Sequence, residues 1–327
     1  MSLIYWVRHG ENWANITREL STRRVDYSLT PRGVLQAEQT AAYFRGMAVD
    51  AVLSSPLKRA LETAAPIAAA LGLPVQVVEE LRELNVGSLE DRLPDRAVWN
   101  LHDNLLHAWL DGRERETAFP GGEDYHTMLD RLTRGLRLAA RFERSVVVAH
   151  GGLLYAALPD LVDGMDPRWT RDNDWNPNCA VCEFEPVEAG ERLRLLLRAW
   201  ARSDHLSGDA AVKITGTPKR SGRKRPAVVY LCAPRETAQA RLNELAREYP
   251  GWWVHNSWPA DGLSEEEMLR RAGSVERWGM ASLFMRVEEA LRACGEGQGA
   301  LIAGPGRPVD MQRAAELFSL NEWRVID

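Results

Sequence analysis

Short apolar runs recur through the first two hundred residues, at 3–7, 49–53, 75–78, 145–149, 180–184 and 193–200. Each is rich in β-branched or aliphatic residues and ends in polar or glycine-containing chain, the pattern of strands. Helical patterns lie between them. Thr30-Pro31-Arg32-Gly33 predicts a helix start, with Thr30 as N-cap and Pro31 in the first turn, and Ala37, Ala41 and Phe44 continue it. Residues 57–71 and 125–142 also read as helices. Strands alternating with helices predict an α/β sandwich with a mostly parallel sheet. The last two strands are close together and read as an antiparallel addition at an edge.

From residue 207 to 226 the pattern lapses into a glycine-, serine- and proline-containing run with Lys213, Lys219, Arg220, Arg223, Lys224 and Arg225, read as a basic linker or loop. A second α/β pattern follows: strands at 227–231, 300–303 and 323–326, and helices at 236–249, 265–272, 275–294 and 309–318. The expected organisation is a first domain over 1–206, a linker over 207–226, and a small α/β domain over 227–327.

Composition narrows the function classes. The chain has 327 residues, 45% of them hydrophobic, and a net charge of -5, which does not suit a general nucleic-acid or membrane-surface binder. No segment is long and apolar enough to span a bilayer. The first residues read as a strand, not a signal peptide. Four cysteines do not make a disulfide framework. Cys179 and Cys182 form a single C-x-x-C within a strand, better explained by packing than by zinc. A cytoplasmic location is expected, with no cofactor and no metal; homo-oligomerisation is left open.

Several strands stop at chemistry-bearing residues. Tyr5-Trp6-Val7 runs into Arg8-His9-Gly10, and Val146-Val147-Val148-Ala149 into His150-Gly151-Gly152. Ala51-Val52-Leu53 is followed by Ser54-Ser55-Pro56 with Arg59 just beyond, and residues 75–78 by a loop holding Glu79, Glu80 and Glu83. If these strands are parallel neighbours, their carboxyl ends deliver two imidazoles, two guanidiniums and a carboxylate to one rim. Such a set suits phosphoryl transfer to a neutral imidazole. Arginines neutralise the equatorial oxygens and a carboxylic acid protonates the departing oxygen.

Those segments, with Leu29-Thr30-Pro31-Arg32-Gly33, Ser54 to Ala60 and Pro120-Gly121-Gly122-Glu123, resemble the histidine phosphatase superfamily, the phosphoglycerate mutase-like group, over residues 1–200. The resemblance implies a three-layer α/β/α sandwich with a mostly parallel sheet. It implies that His9 becomes a phosphohistidine, that Arg8 and Arg59 clamp phosphate, and that His150 is the second phosphate-pocket histidine. It further implies Glu83 as proton donor and Asn15 as a phosphate contact. Asn178 matches a recurrent turn and is read as structural. The stretch after Glu90-Asp91 carries Trp99, His102, His107 and Trp109. It is expected to roof the pocket and set specificity, with these four as candidate specificity residues, although ordinary surface or core residues are the plainer reading of the two histidines. It lacks the lysines of the mutase branch, so the expectation is a metal-independent phosphomonoesterase acting on a small phosphorylated metabolite. Alternatives are a phosphoglycerate-type phosphomutase and a phosphate- or nucleotide-recognising binding or regulatory protein.

In the second domain Gly304-Pro305-Gly306-Arg307 lies between a strand and a helix, as a phosphate-cradling turn or an ordinary one. Trp252, Trp253 and Trp258 offer a stacking surface or core. Cys232 lacks an identifiable histidine partner and reads as a structural thiol.

Overall fold

A computed structural model describes residues 2–92, 96–165, 176–189, 192–211, 227–256, 275–294, 298–318, 320 and 322–326. The basic run from Lys213 to Arg225, Trp258 and the helix expected over 265–272 lie outside the described residues. The chain divides into two compact units, one of Met1–Asn15 with Glu19–Thr215 and one of Gly216–Asp327 with Ile16–Arg18.

In the first unit the elements run β1 (Leu3–Arg8), α1 (Trp13–Thr17), α2 (Pro31–Phe44), β2 (Ala51–Ser54), α3 (Lys58–Leu71), β3 (Val75–Val77), α4 (Arg96–Leu110), α5 (Tyr125–Ala139), β4 (Arg144–Ala149), α6 (Gly151–Leu161), β5 (Val162–Asp163), β6 (Val181–Ala189) and β7 (Arg192–Arg202). Among the described residues the strands form one sheet in the order β3-β2-β4-β1-β6-β7-β5. β3, β2, β4 and β1 are parallel, and the hairpin β6–β7 joins antiparallel to β1. The mostly parallel sheet with an antiparallel addition is therefore observed. The two-residue β5, too short to show in the pattern, lies outside the hairpin and forms the edge.

Strand periodicity makes the three layers. Trp6 and Val147 point into a core shared with α5 and α6 residues such as Leu132, Leu136, Leu153 and Leu154. Val7, Val146 and Val148, one residue out of phase, point into the opposite core with Phe44 of α2 and Ala60, Ala64 and Ile67 of α3. A sheet buried on both faces requires the near-continuous apolar runs seen in β1 and β4.

The helix α6 was not expected from the sequence. Its Gly151-Gly152 start reads as loop, and its apolar residues leave no polar stripe because Leu153, Leu154, Ala156, Ala157, Leu158 and Leu161 are all buried. Residues 207–211, read as the start of a linker, form a short turn against α2. Ala210 is buried there, and its carbonyl accepts from Gln36 at 3.1 Å.

The second unit contains β8 (Val228–Cys232), α7 (Arg235–Glu248), β9 (Trp253–Asn256), α8 (Val275–Ala293), β10 (Ala300–Gly304), α9 (Pro308–Phe318) and β11 (Trp323–Ile326). Among the described residues its strands are all parallel, in the order β11-β8-β10-β9. Val229, Leu231, Leu301 and Ala303 pack against Ala238 and Leu242 of α7. Phe284 of α8 meets Phe318 of α9 edge to face at 6.0 Å. This is a smaller α/β domain with its own core. No helix among the described residues is long and apolar enough to cross a membrane.

Two glycines bring α2 against the chain that leaves β1. A Cβ on Gly33 would lie 1.9 Å from the Glu11 carbonyl oxygen, and one on Gly10 would lie 2.7 Å from the Gly33 oxygen. The space at Gly10 serves this helix contact. Gly33→Ala is expected to destabilise the fold by about 3 kcal/mol or more, because backbone must move. Gly72→Ala meets only left-handed backbone (φ +68°) and open space, so it costs about 1 kcal/mol. Urea unfolding of the two variants checks the order.

Candidate active site

Three adjacent parallel strands end together. Arg8 is level with Ala149, and Ser54 with Val148. The ladder runs one bond further, with the His9 and Ser55 amides donating to the Ala149 and Val148 carbonyls, both at 3.0 Å. His9, Ser55 and His150 therefore emerge along one edge, and Arg59 enters from the second residue of α3. The expected convergence of strand ends is present for these residues.

The imidazoles of His9 and His150 lie with centroids 5.3 Å apart. His9 Nδ1 is 2.7 Å from the Gly10 carbonyl, which can only accept, so Nδ1 carries the proton and Nε2 keeps a free electron pair. His150 Nδ1 is 3.1 Å from an Arg59 amine, which can only donate, so Nε2 carries the proton and donates to Ser55 Oγ at 2.7 Å. Burial pushes both imidazoles well below the ordinary histidine pKa. Arg59 and Arg8 add to this at His9, and Arg59 and then His9 add at His150. Both rings are neutral near pH 7.

Arg59 is buried, and Ser21 holds its other side. One amine donates to Ser21 Oγ at 3.0 Å and the other to the Ser21 carbonyl at 2.8 Å. Arg8 donates to the Asn176 carbonyl at 2.5 Å. A Cβ on Gly151 would sit 3.3 Å from Arg8 Nε, and one on Gly152 would sit 3.1 Å from Glu83 Oε1. The glycine pair after His150 thus lets the first turn of α6 approach both a cation and a carboxylate. Glu83 Oε1 accepts the Leu153 amide at 2.6 Å and its neighbour Leu84's at 2.9 Å. Its Oε2 accepts the Gly152 amide at 3.3 Å. These donors orient the carboxyl group at the first turn of α6.

A further set of contacts fixes the Glu83 loop. Arg131 of α5, nearly buried, donates to the carbonyls of Glu80 at 2.9 Å, Arg82 at 2.7 Å and Glu83 at 3.2 Å. The same guanidinium pairs with both oxygens of Glu123, at 2.8 and 2.6 Å, and Glu123 accepts the Asn85 amide at 2.8 Å. Glu123 stands in the Pro120-Gly121-Gly122-Glu123 motif, which was the available signal. Ser55 had its strand-end position as a signal; Ser21 and Arg131 had none.

Other sequence candidates fall out differently. Asn15 Oδ1 accepts from Asn178, whose same amide nitrogen bonds the His9 carbonyl at 2.9 Å, so Asn15 is linked to the His9 turn. Of the rival carboxylates, Glu79 is spent on Arg82 at 2.6 Å. The segment expected as a roof contains α4, which packs against α6. Trp99 and His102 are partly buried and meet edge to face at 5.3 Å, and His102 stacks on Phe119 at 5.7 Å. His107 is exposed. Trp109, a candidate specificity residue, does not lie at an opening. It is sealed in the core, and its indole N–H donates to the Glu114 and Thr117 carbonyls at 3.0 and 3.2 Å. Cys179 and Cys182 are free and buried, and burial pushes both thiols up to about 12. In the second unit the glycine turn is occupied internally. The Gly306 amide donates to Tyr230 Oη at 2.6 Å, and the Arg307 amide to Asp310 at 2.9 Å. Trp253 stacks on His255 at 5.2 Å along the edge strand β9.

Residues 4–198 match the family model described as the histidine phosphatase superfamily (branch 1). The "Probable phosphoglycerate mutase GpmB" of Escherichia coli is 31% identical over 195 residues, covering 58% of this chain and 87% of that protein. Among solved structures, Bacillus stearothermophilus YhfR superposes with a TM-score of 0.50 at 23% identity, over 63% of this chain and 99% of that one; this likeness is one of fold. An alpha-ribazole phosphatase from Shigella flexneri superposes with a TM-score of 0.46 at 24% identity, over 61% and 96%.

Two neutral buried imidazoles make a pH signature. In the unfolded chain they protonate below about 6.5, and in the folded chain only at lower pH. The unfolded state then binds more protons, so stability holds above about pH 7 and falls as the pH drops through 6.5. Each ring accounts for up to about 1.4 kcal/mol of the loss between pH 7.5 and 5.5. His9→Gln is expected to lose less stability than the wild-type protein over that interval, by up to the same amount. Equal losses in urea titrations at the two pH values would mean that His9 is not held neutral.

Proposed function

The chain belongs to branch 1 of the histidine phosphatase superfamily, and from that membership we propose a metal-independent phosphomonoesterase acting on a small phosphorylated metabolite through a phosphohistidine on His9. The observation that carries the reading is the pair of neutral imidazoles 5.3 Å apart, with buried Arg59 and partly buried Arg8 acting on them and the Glu83 carboxyl group held by the first-turn amides of α6.

His9 Nε2 supplies its electron pair to phosphorus while Nδ1–H stays on the Gly10 carbonyl. The phosphorus–oxygen ester bond breaks, and Glu83 in its acid form gives its proton to the departing alkoxide. Arg8 and Arg59 stabilise the charge gathering on the equatorial oxygens, and in the resting arrangement His150 fixes the Arg59 fork. Water then attacks the phosphohistidine and yields its proton to the Glu83 carboxylate. The nitrogen–phosphorus bond breaks and its pair returns to His9. The sum is ester plus water to alcohol plus inorganic phosphate, with Glu83 returned to its acid form.

The test is a panel of phosphorylated metabolites with the full-length protein in EDTA, with phosphate release as readout. Turnover with acid-labile phosphate on the wild-type protein, reduced roughly 10⁴-fold or more in His9→Ala, is expected. No release from any ester, with His9→Ala indistinguishable from wild type, would sink the reading. Isomerisation that depends on a bisphosphorylated primer would make the protein a mutase.

Glu83→Gln separates the acid from the clamp. Its rate on alkyl phosphates should fall by about 10²- to 10⁴-fold. The loss on 4-nitrophenyl phosphate should be much smaller, since that leaving group needs no proton. Equal losses on both substrates would remove Glu83 from the acid role.

A further inference from the structure

Glu90 lies in a 3-10 turn over Gly87–Asp91 and is only 3% exposed. Its Oε1 accepts four consecutive backbone amides, from Thr22 at 2.7 Å, Arg23 at 2.8 Å, Arg24 at 3.0 Å and Val25 at 2.9 Å. Its Oε2 accepts Thr22 Oγ1 at 3.0 Å. Successive N–H groups that converge in this way form a concave nest for an anion. Here the anion is a side chain of the same protein, more than sixty residues away in sequence.

The nest belongs to an irregular loop, and the residue that opens the loop is Ser21. Ser21 receives both amines of Arg59, on its Oγ and on its carbonyl. Its hydroxyl in turn donates to the carbonyl of Val25, the last residue of the nest. The chain of contacts therefore runs from Glu90 through the Thr22–Val25 amides to Ser21 and on to the guanidinium. Without Glu90, the four amides lose their common acceptor, those of buried Thr22 and Val25 among them, and the loop has no strand or helix ladder to replace it. The Glu90 charge also acts on Arg59.

We propose that Glu90 is a positioning residue for phosphate binding. By filling the nest it locks the 21–25 loop and thereby fixes the Arg59 fork for the phosphoryl group. The proposal rests on the phosphate-handling reading of the site, but not on turnover.

The test measures binding of inorganic phosphate by calorimetry to wild-type protein, Glu90→Ala, Glu90→Gln, Ser21→Ala and the Glu90→Ala/Ser21→Ala double variant. Glu90→Ala and Ser21→Ala should each weaken binding by about tenfold. The double variant should be little worse than the weaker single, because both act on one contact chain. Glutamine, which keeps an oxygen for the four amides, should recover part of the loss. Binding of Glu90→Ala within twofold of wild type, losses that multiply in the double variant, or glutamine no better than alanine would each overturn the proposal. Hydrogen exchange on the wild-type protein needs no variant to fold. The Thr22–Val25 amides should exchange slowly for an irregular loop, and exchange at unprotected rates would overturn it as well. A protein that binds phosphate but hydrolyses no ester fails the hydrolase reading and leaves this result standing.

Discussion

A guanidinium buried at the floor of the site is the constraint on which the surrounding structure depends. Arg59 is 2% exposed and lies beside two histidines. A buried charge is tolerated only when its donors are satisfied. Ser21 satisfies them on one side and His150 on the other. Each partner must then be held in turn. His150 is set by its place at the end of β4 and by Ser55, and Ser21 by a loop wrapped around Glu90. The same positive field, with burial, keeps both imidazoles neutral, which is the state a nitrogen nucleophile requires.

The carboxylate side of the site obeys a parallel logic. Glu83 sits in a turn without regular ladder bonds, yet it has to meet the first turn of α6 within hydrogen-bond distance. Arg131 supplies the missing rigidity by binding the Glu80, Arg82 and Glu83 carbonyls of that turn while paired to Glu123. A buried ion pair of this kind is a weak source of net stability. Its evident effect here is geometric, because the Glu80, Arg82 and Glu83 carbonyls have one cationic anchor in common.

The second unit is built on a different economy. Its sheet is parallel throughout among the described residues, and its polar groups at the β8 and β10 ends are spent on one another. Tyr230 holds Gly306, and Asp310 holds the Arg307 amide together with the Arg307 and Arg313 side chains. The glycine turn there is a packed corner, with Gly279 of α8 so close that a Cβ would lie 2.6 Å from the Pro305 oxygen.

Local pattern determined much of this protein by itself. Two-sided burial of a parallel sheet demands unbroken apolar strands, so β1, β2 and β4 were legible, as was the abrupt polar chemistry at their ends. Arg8, His9, Arg59 and His150 stood out because a strand that stops at a cation and an imidazole is a visible interruption. Residues whose role is to hold another residue leave no such mark. Ser21, Arg131 and Glu90 look like any polar residue until the fold sets them beside partners dozens of positions away. Helix α6 hid for the opposite reason. It is buried nearly all round, so it lacks the polar stripe that identifies a helix. Trp109 looked like a specificity residue only because sequence does not tell an aromatic ring in the core from one at an opening. Hydrophobic periodicity is a property of neighbouring residues, whereas hydrogen-bond satisfaction is a property of groups that only tertiary packing brings together.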